Sequence, residues 1–306
     1  MAGPPILERS TLEKLERLTL RWRKSFRGLV GGHNRSRYAG PGQEFLDHRS
    51  FHQGDDLRAV NWRAYLRLEK LFLKMFQVEP RTPIRVMLDA SASMTAPAPA
   101  KGAAAKFDFA RQLAAAIVYV GLVRHDALVI QPFHSGLDDP HLASGGRHRF
   151  GPVSDYLMAL QPGGKTHYFD AARQFLAEYA KQGLLIIISD FLDDDDCLRP
   201  LQYLGEFGHE LMLLQVYDPA EREPVWDGDL DLEDAETGQH FELSLNAEAR
   251  RAYTAAFDRH SAALDQLAQR HGGRFVALST GTPIEEAIFY SIDHAGAALE
   301  RAGREF

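Results

Sequence analysis

The sequence has a single cysteine, Cys197. No intramolecular disulfide can form, and the usage fits a reducing compartment. Long apolar runs are also missing. The longest, Leu113 to Val123, falls well short of the roughly 20 residues a membrane helix needs. Met1-Ala2-Gly3-Pro4-Pro5 has no basic stretch followed by an apolar one, so no signal peptide is expected. These absences predict a soluble, cytoplasmic protein without a membrane span. The basic residues are scattered among Asp and Glu and lack an aromatic stacking pattern, so nucleic acid is not an expected partner.

What is present is ordinary for a globular protein. The 306 residues are 45% hydrophobic and 25% charged, enough for a sizeable core and about two domains. The net charge of −7 is unevenly spread: residues 1–80 hold 15 Lys and Arg against 9 Asp and Glu, and the rest 20 against 33. A basic N-terminal part beside an acidic body implies mutual attraction or separate partners.

Leucines at helical spacing predict a helix over 7–28, broken at Gly31-Gly32. The stretch from Glu44 to Arg63 is the densest in polar and aromatic residues. Asp55 and Asp56 follow Gly54 there. Their ordinary reading is an Asx-type turn with Arg49 and Arg58 pairing the carboxylates, in preference to a metal or acid/base pair. Alternation from Leu71 to Glu79 predicts a strand. From residue 84 strands and helices alternate. Strands are expected at 84–88, 127–133, 184–189, 210–217 and 275–278. Helices are expected at 107–123, 154–160, 168–181, 200–207, 250–270 and 283–295, with an Ala- and Pro-rich loop at 95–102. This predicts an α/β, Rossmann-like, mostly parallel sheet covered on both faces. Glu236-Thr237-Gly238 between two alternating stretches predicts a β-hairpin insertion at about 225–245. The expected domains are an N-terminal helix and β extension, 1–82, and an α/β domain, 83–306.

The chemistry concentrates at Asp89-Ala90-Ser91-Ala92-Ser93, directly after the apolar strand Ile84 to Leu88. On their own, such residues are ordinary caps and turn formers. Two further segments change the weighting. Asp190 follows the apolar run Leu184 to Ser189, and Thr166 ends Pro162-Gly163-Gly164-Lys165 before a helix. Open α/β sheets bind ligands at the carboxyl ends of their strands. Asp89, Ser91, Ser93, Thr166 and Asp190 therefore form one candidate cluster of hard oxygen donors, suited to Mg²⁺, Mn²⁺ or Ca²⁺.

In spacing and order this cluster resembles the metal-ion-dependent adhesion site of von Willebrand factor A domains, and the resemblance covers residues 84–300. Glu44-Phe45, Arg49-Ser50-Phe51, Gly54-Asp55-Asp56-Leu57-Arg58 and Asn61-Trp62 resemble the signature of a bacterial family, domain of unknown function number fifty-eight. That family's pattern usually has Asp where this chain has Asn61. The resemblance marks Arg49, Gly54, Asp55, Asp56, Arg58 and Trp62 as a partner-binding or structural signature. It implies an adaptor or chaperone-like role with a MoxR-type AAA+ ATPase, and contact with other von Willebrand A-like proteins. It also implies serines and threonine on the cation, aspartates acting largely through water, and one position left for a partner's Asp or Glu. Two departures stand out: Lys165, whose ammonium would compete with a cation, and His167.

The rival reading is a metal-dependent hydrolase or phosphatase, with Ser91 or Ser93 as nucleophile and His134 or His167 as base. It lacks the second Asp of a dehalogenase-type phosphatase, because Ser91 stands there. A nucleotide-binding loop at Gly163-Gly164-Lys165-Thr166 would need glycine at position 159, which is Ala159. The run Asp193 to Asp196 reads as a solvated loop and helix start. The sequence thus favours binding over catalysis.

Overall fold

The computed structural model describes residues 5–22, 36–39, 44–50, 60–78, 84–96, 105–192 and 196–290. The Gly54 to Arg58 turn, the Gly31-Gly32 break, residues 97–102 of the Ala- and Pro-rich loop, Asp193 to Asp195 and the helix end at 291–295 lie outside them. The chain divides into two compact units, 27–81 and 1–26 with 82–306.

The boundary differs from the expected one at 82/83, because the first helix belongs with the larger unit. Helix α1 (Arg9–Trp22) buries Leu15 completely, in one core with Ile6, Leu7 and the apolar helix at 106–123. Polar ties fix it there. The Thr11 hydroxyl and the Lys14 ammonium each reach Glu285 at 2.6 Å.

The smaller unit holds β1 (Ser36–Ala39), β2 (Glu44–Ser50), α2 (Trp62–Leu68) and β3 (Phe72–Val78). The strands form an antiparallel sheet in the order β1-β3-β2, with an irregularity between Phe45 and Asp47. Asn61 caps α2, its side-chain oxygen accepting the Ala64 N–H at 3.3 Å. Only β3 was expected here. Helix α2 and the strands β1 and β2 lack the alternation that reveals β3.

In the larger unit β4 (Ile84–Asp89), α3 (Lys106–Val123), β5 (Leu128–Phe133), β6 (His141–Ala143), α4 (Phe150–Ala159) and α5 (Tyr168–Glu178) come first. Then follow β7 (Leu184–Ser189), α6 (Leu198–Glu206), β8 (Glu210–Tyr217), α7 (Pro219–Arg222), β9 (Gly228–Glu233), β10 (His240–Leu245), α8 (Ala247–Arg270) and β11 (Arg274–Ser279). Residues 284–290 are helical. The sheet order is β11-β8-β7-β4-β5-β6, parallel except for β6, which closes one edge antiparallel to β5.

Its central strands are largely apolar because both faces are covered, although Arg85, Gln131 and Gln215 are buried in them too. Val86, Leu88, Ile186 and Ile188 face a core shared with α1, α3 and α4. Met87, Leu185 and Ile187, one position out of phase, face a second core with α5, α6 and α8. No helix among the described residues is long and apolar enough to cross a membrane.

The hairpin β9–β10 matches the expected insertion, with Phe241 opposite Leu232 and Leu243 opposite Leu230. It leads into α8, whose N-cap Asn246 accepts the Ala249 N–H at 2.8 Å. Asn246→Ala is expected to lower stability by about 1 kcal/mol, since a first-turn amide loses its acceptor. Urea denaturation would show a shifted midpoint with an unchanged slope.

Candidate metal centre

The sheet has one point where the chain reverses direction. From β4 it moves to β5 and β6, then returns to place β7 on the other side of β4. A crevice opens at the carboxyl ends of β4 and β7, where ligands bind in open α/β sheets. Asp89 ends β4 and Asp190 directly follows β7, so the sheet itself brings the two carboxylates together. Both are buried, with exposures of 0% and 1%.

The loop with Thr166 is pinned beside them by the backbone. Gly163 N–H donates to Ala90 O at 2.8 Å, and Ala92 N–H to Gly164 O at 3.0 Å. Gly164 takes φ 82°, which a side chain would disfavour. Ser91 precedes a single 3₁₀ turn, Ala92–Thr95, yet its hydroxyl makes no capping bond. It lies 2.9 Å from the Ser93 hydroxyl instead. The ordinary reading of these serines as caps is therefore not what the structure holds.

Each aspartate is braced. The Ser91 N–H donates to Asp89 Oδ1 at 2.9 Å, and the Ser189 hydroxyl to Asp89 Oδ2 at 2.6 Å. The Tyr168 hydroxyl, at the start of α5, meets both Ser189 and Asp89. Burial, and then the charge of Asp190, push the Asp89 carboxyl up to about 7. Burial likewise pushes the Tyr168 hydroxyl far up, with Asp89 adding to it. Asp190 Oδ1 accepts the Leu192 N–H at 3.1 Å, and Oδ2 accepts the Lys106 ammonium at 2.7 Å.

Lys106 opens α3 and also pairs with Glu221. Burial draws its pKa down, but Asp190 and Glu221 outweigh burial and leave it raised. Burial pushes Glu221 up to about 7 despite this ammonium. The cation already seated at the cluster is thus Lys106. Asp234 is held below the usual carboxylate range, by the Thr237 N–H first and with the Lys165 charge adding to it.

A further carboxylate comes from the hairpin. Glu236 accepts the Thr166 N–H at 3.0 Å and the Thr166 hydroxyl at 2.7 Å. A cleft of about 330 Å³ adjoins this contact, lined by Ser93, Phe191, Leu192, Glu236 and His260 among others. His134 pairs with Asp138 at 3.1 Å and with Ser135, and His167 stands at the N-cap of α5. Arg49 lies in β2 and Trp62 opens α2, its ring edge-on to Tyr65. Gly54, Asp55, Asp56 and Arg58 lie outside the described residues.

Among the described residues no group of three or more His, Cys, Asp and Glu side chains is set to hold a metal. The donors here are of another kind: two carboxylates and the hydroxyls of Ser91, Ser93 and Thr166, with Glu236 against the last. They fit a hard divalent cation. Asp190 and Glu221 share the ammonium of Lys106. Burial holds the Asp89 carboxyl high and the charge of Asp190 adds to it; a divalent ion would offset the second of these.

Sequence reasoning missed Lys106, Ser189, Glu221 and Glu236. Lys106 left a faint signal as a charge opening an otherwise apolar helix. Glu236 left none, because a turn glutamate is ordinary.

A mostly parallel sheet in the order β11-β8-β7-β4-β5-β6, covered by helices on both faces, is a von Willebrand A-like α/β fold, here with the β9–β10 hairpin as an insertion. The chain belongs to the family described as protein of unknown function DUF58, which it matches over residues 47–263. It is 25% identical to uncharacterized protein Rv1480 of Mycobacterium tuberculosis over 281 residues, 87% of this chain and 84% of that one. Among solved structures it is similar to BatB of Bacteroides thetaiotaomicron, at 15% identity and TM-score 0.41 over 70% of this chain and 98% of that one. It is also similar to the mussel byssus proximal thread matrix protein 1 with a zinc-occupied MIDAS motif, at 11% identity and TM-score 0.44 over 70% and 48%. The sheet order, not these distant likenesses, carries the fold.

Proposed function

We propose that this chain is a metal-dependent protein–protein interaction module. Asp89, Ser91, Ser93, Thr166 and Asp190 hold Mg²⁺, with Mn²⁺ or Ca²⁺ as alternatives. The ion supplies a Lewis-acidic point at which a partner's Asp or Glu attaches. The chain's own part is to orient the hydroxyls and to bury the aspartates in a braced network. One observation carries this reading: two buried carboxylates, Asp89 and Asp190, end neighbouring strands at the reversal point of the sheet, and the loop bearing Thr166 is bonded by its backbone to the segment bearing Ser91 and Ser93. The partner follows from family resemblance. It is a MoxR-type AAA+ ATPase, with other von Willebrand A-like proteins as further candidates, and the role is that of a cytoplasmic adaptor or chaperone-like factor. Binding is favoured over hydrolysis because the Ser91 and Ser93 hydroxyls meet each other, and among the described residues neither bonds to His134 or His167, the bases a hydrolase would need beside them.

Calorimetric titration of chelator-treated protein with Mg²⁺ and Mn²⁺ tests the site. The wild type is expected to show one saturable site. Asp89→Ala and the milder Ser93→Ala should weaken it by about 10- to 100-fold. Equal affinity in all three proteins would sink the reading. Recovery of a candidate ATPase with and without metal then tests the partner.

A further inference from the structure

The hairpin brings the site a carboxylate of its own. Thr166 is fully buried, and both of its donors go to Glu236: the N–H to Oε2 and the hydroxyl to Oε1. Two charge-assisted bonds in one fork fix that carboxylate firmly. The turn that carries it is built for the purpose. Asp234 Oδ1 accepts the N–H groups of Glu236 and Thr237 at 2.8 and 2.7 Å. Gly238, at φ 68°, closes the turn by donating its N–H to Asp234 O at 2.8 Å. The ribbon behind the turn is largely exposed: Leu232, Phe241, Leu243 and the acidic residues between them face outward. The strands β9 and β10 hydrogen-bond to each other and to no other strand among the described residues. The turn is therefore well ordered within itself, while the ribbon that carries it is only lightly held. Such an element can move as a unit when its tip is released.

Resting on the cation reading above, we propose that Glu236 is an internal stand-in for the partner's carboxylate, and that a partner's acidic side chain enters by displacing the hairpin turn. In this proposal Glu236 takes the place of an incoming Asp or Glu, beside Thr166 and at the edge of the cleft that Ser93 also lines. Being part of the same chain, Glu236 competes at a high effective concentration. A partner then binds with an affinity reduced by the fraction of molecules in which the turn is released. Affinity is thereby exchanged for selectivity, since a single free carboxylate cannot dislodge the turn. A partner that also engages the exposed ribbon can.

The test uses the full chain, Mn²⁺ as the probe ion and acetate as the probe carboxylate. Water-proton relaxation reports how many exchangeable waters the bound Mn²⁺ carries. In Glu236→Ala the relaxation enhancement at saturating Mn²⁺ is expected to rise above wild type. Mn²⁺ affinity should stay within about threefold, because the five proposed ligands remain. Added acetate should reduce the enhancement in the variant and leave the wild type unaffected. Glu236→Gln, which keeps a hydrogen-bond acceptor for Thr166 but no charge, should fall between the two. In chelator-treated protein the Thr166 amide should exchange its hydrogen faster in Glu236→Ala than in wild type.

Equal enhancement in wild type and both variants, with Mn²⁺ bound in all, overturns the proposal and leaves the cation site standing. A tenfold or greater loss of Mn²⁺ affinity in Glu236→Ala also overturns it, because Glu236 would then be a ligand the ion needs. Failure of every protein to bind Mn²⁺ overturns both the proposal and the site on which it rests.

Discussion

Lys106→Met is expected to lower the free energy of unfolding by about 3–5 kcal/mol, the usual result of removing one partner from a buried ion pair. The Lys106 and Asp190 side chains are 2% and 1% exposed, and Glu221 shares the same ammonium. Methionine fills most of the volume but leaves two largely buried carboxylates without their counter-charge. A second effect runs the other way. The ammonium competes with any cation for Asp190, so its loss should tighten Mg²⁺ binding. Saturating Mg²⁺ should then recover part of the lost stability, about 2.7 kcal/mol at 100 times the dissociation constant. Urea denaturation with Mg²⁺ and with chelator measures both effects. A loss under 1 kcal/mol in chelator would mean that the carboxylates are relieved by protonation instead.

The other large effect is expected at Gly273→Ala. Gly273 follows α8 and enters β11, where it runs beside β8. A Cβ built there would lie 1.9 Å from the Leu211 carbonyl oxygen. Unlike a side chain, that oxygen cannot turn away, because β8 is held on both sides by β7 and β11. The N–H of Gly273 is also engaged, donating to Ala268 O at 2.8 Å. Relief requires separating two strands, so the cost should exceed about 4 kcal/mol, beyond the range of most single substitutions. Thermal unfolding would show a large fall in Tm or no folded protein. A Tm within a few degrees of wild type would contradict the close approach of the two strands.

The sheet was legible in the sequence because its physics is local. Leu184 to Ser189 and Glu210 to Tyr217 are strands on their apolar runs alone, and the structure gives them the expected bounds. The placement of Asp89 and Asp190 was legible for the same reason. Asp89 and Asp190 sit where apolar runs stop, and a parallel sheet aligns such ends. Strand β6 was not legible: three residues, His141 to Ala143, carry too little pattern to read. Helix α1 was assigned to the extension, because its apolar stripe shows that it packs but not against what. The groups that complete the site were hidden for a deeper reason. Lys106 lies 84 residues from Asp190, and Glu236 lies 70 from Thr166. No local periodicity records such meetings.

Phe191 occupies the left-handed region at φ 56°, a costly place for a bulky side chain. It is fully buried, its N–H bonds to Ser189 Oγ at 2.9 Å, and its carbonyl meets His260 Nε2 of α8 at 2.9 Å. The chain reversal beside Asp190 is therefore braced by packing in the second core and by the bonds to Ser189 and His260. In kinetic language, the strain is already spent when the protein folds. Were a cation taken up beside Asp190, as proposed, it would meet a finished turn, and the work left in loading would be to strip water from the ion, a step Mg²⁺ makes reluctantly.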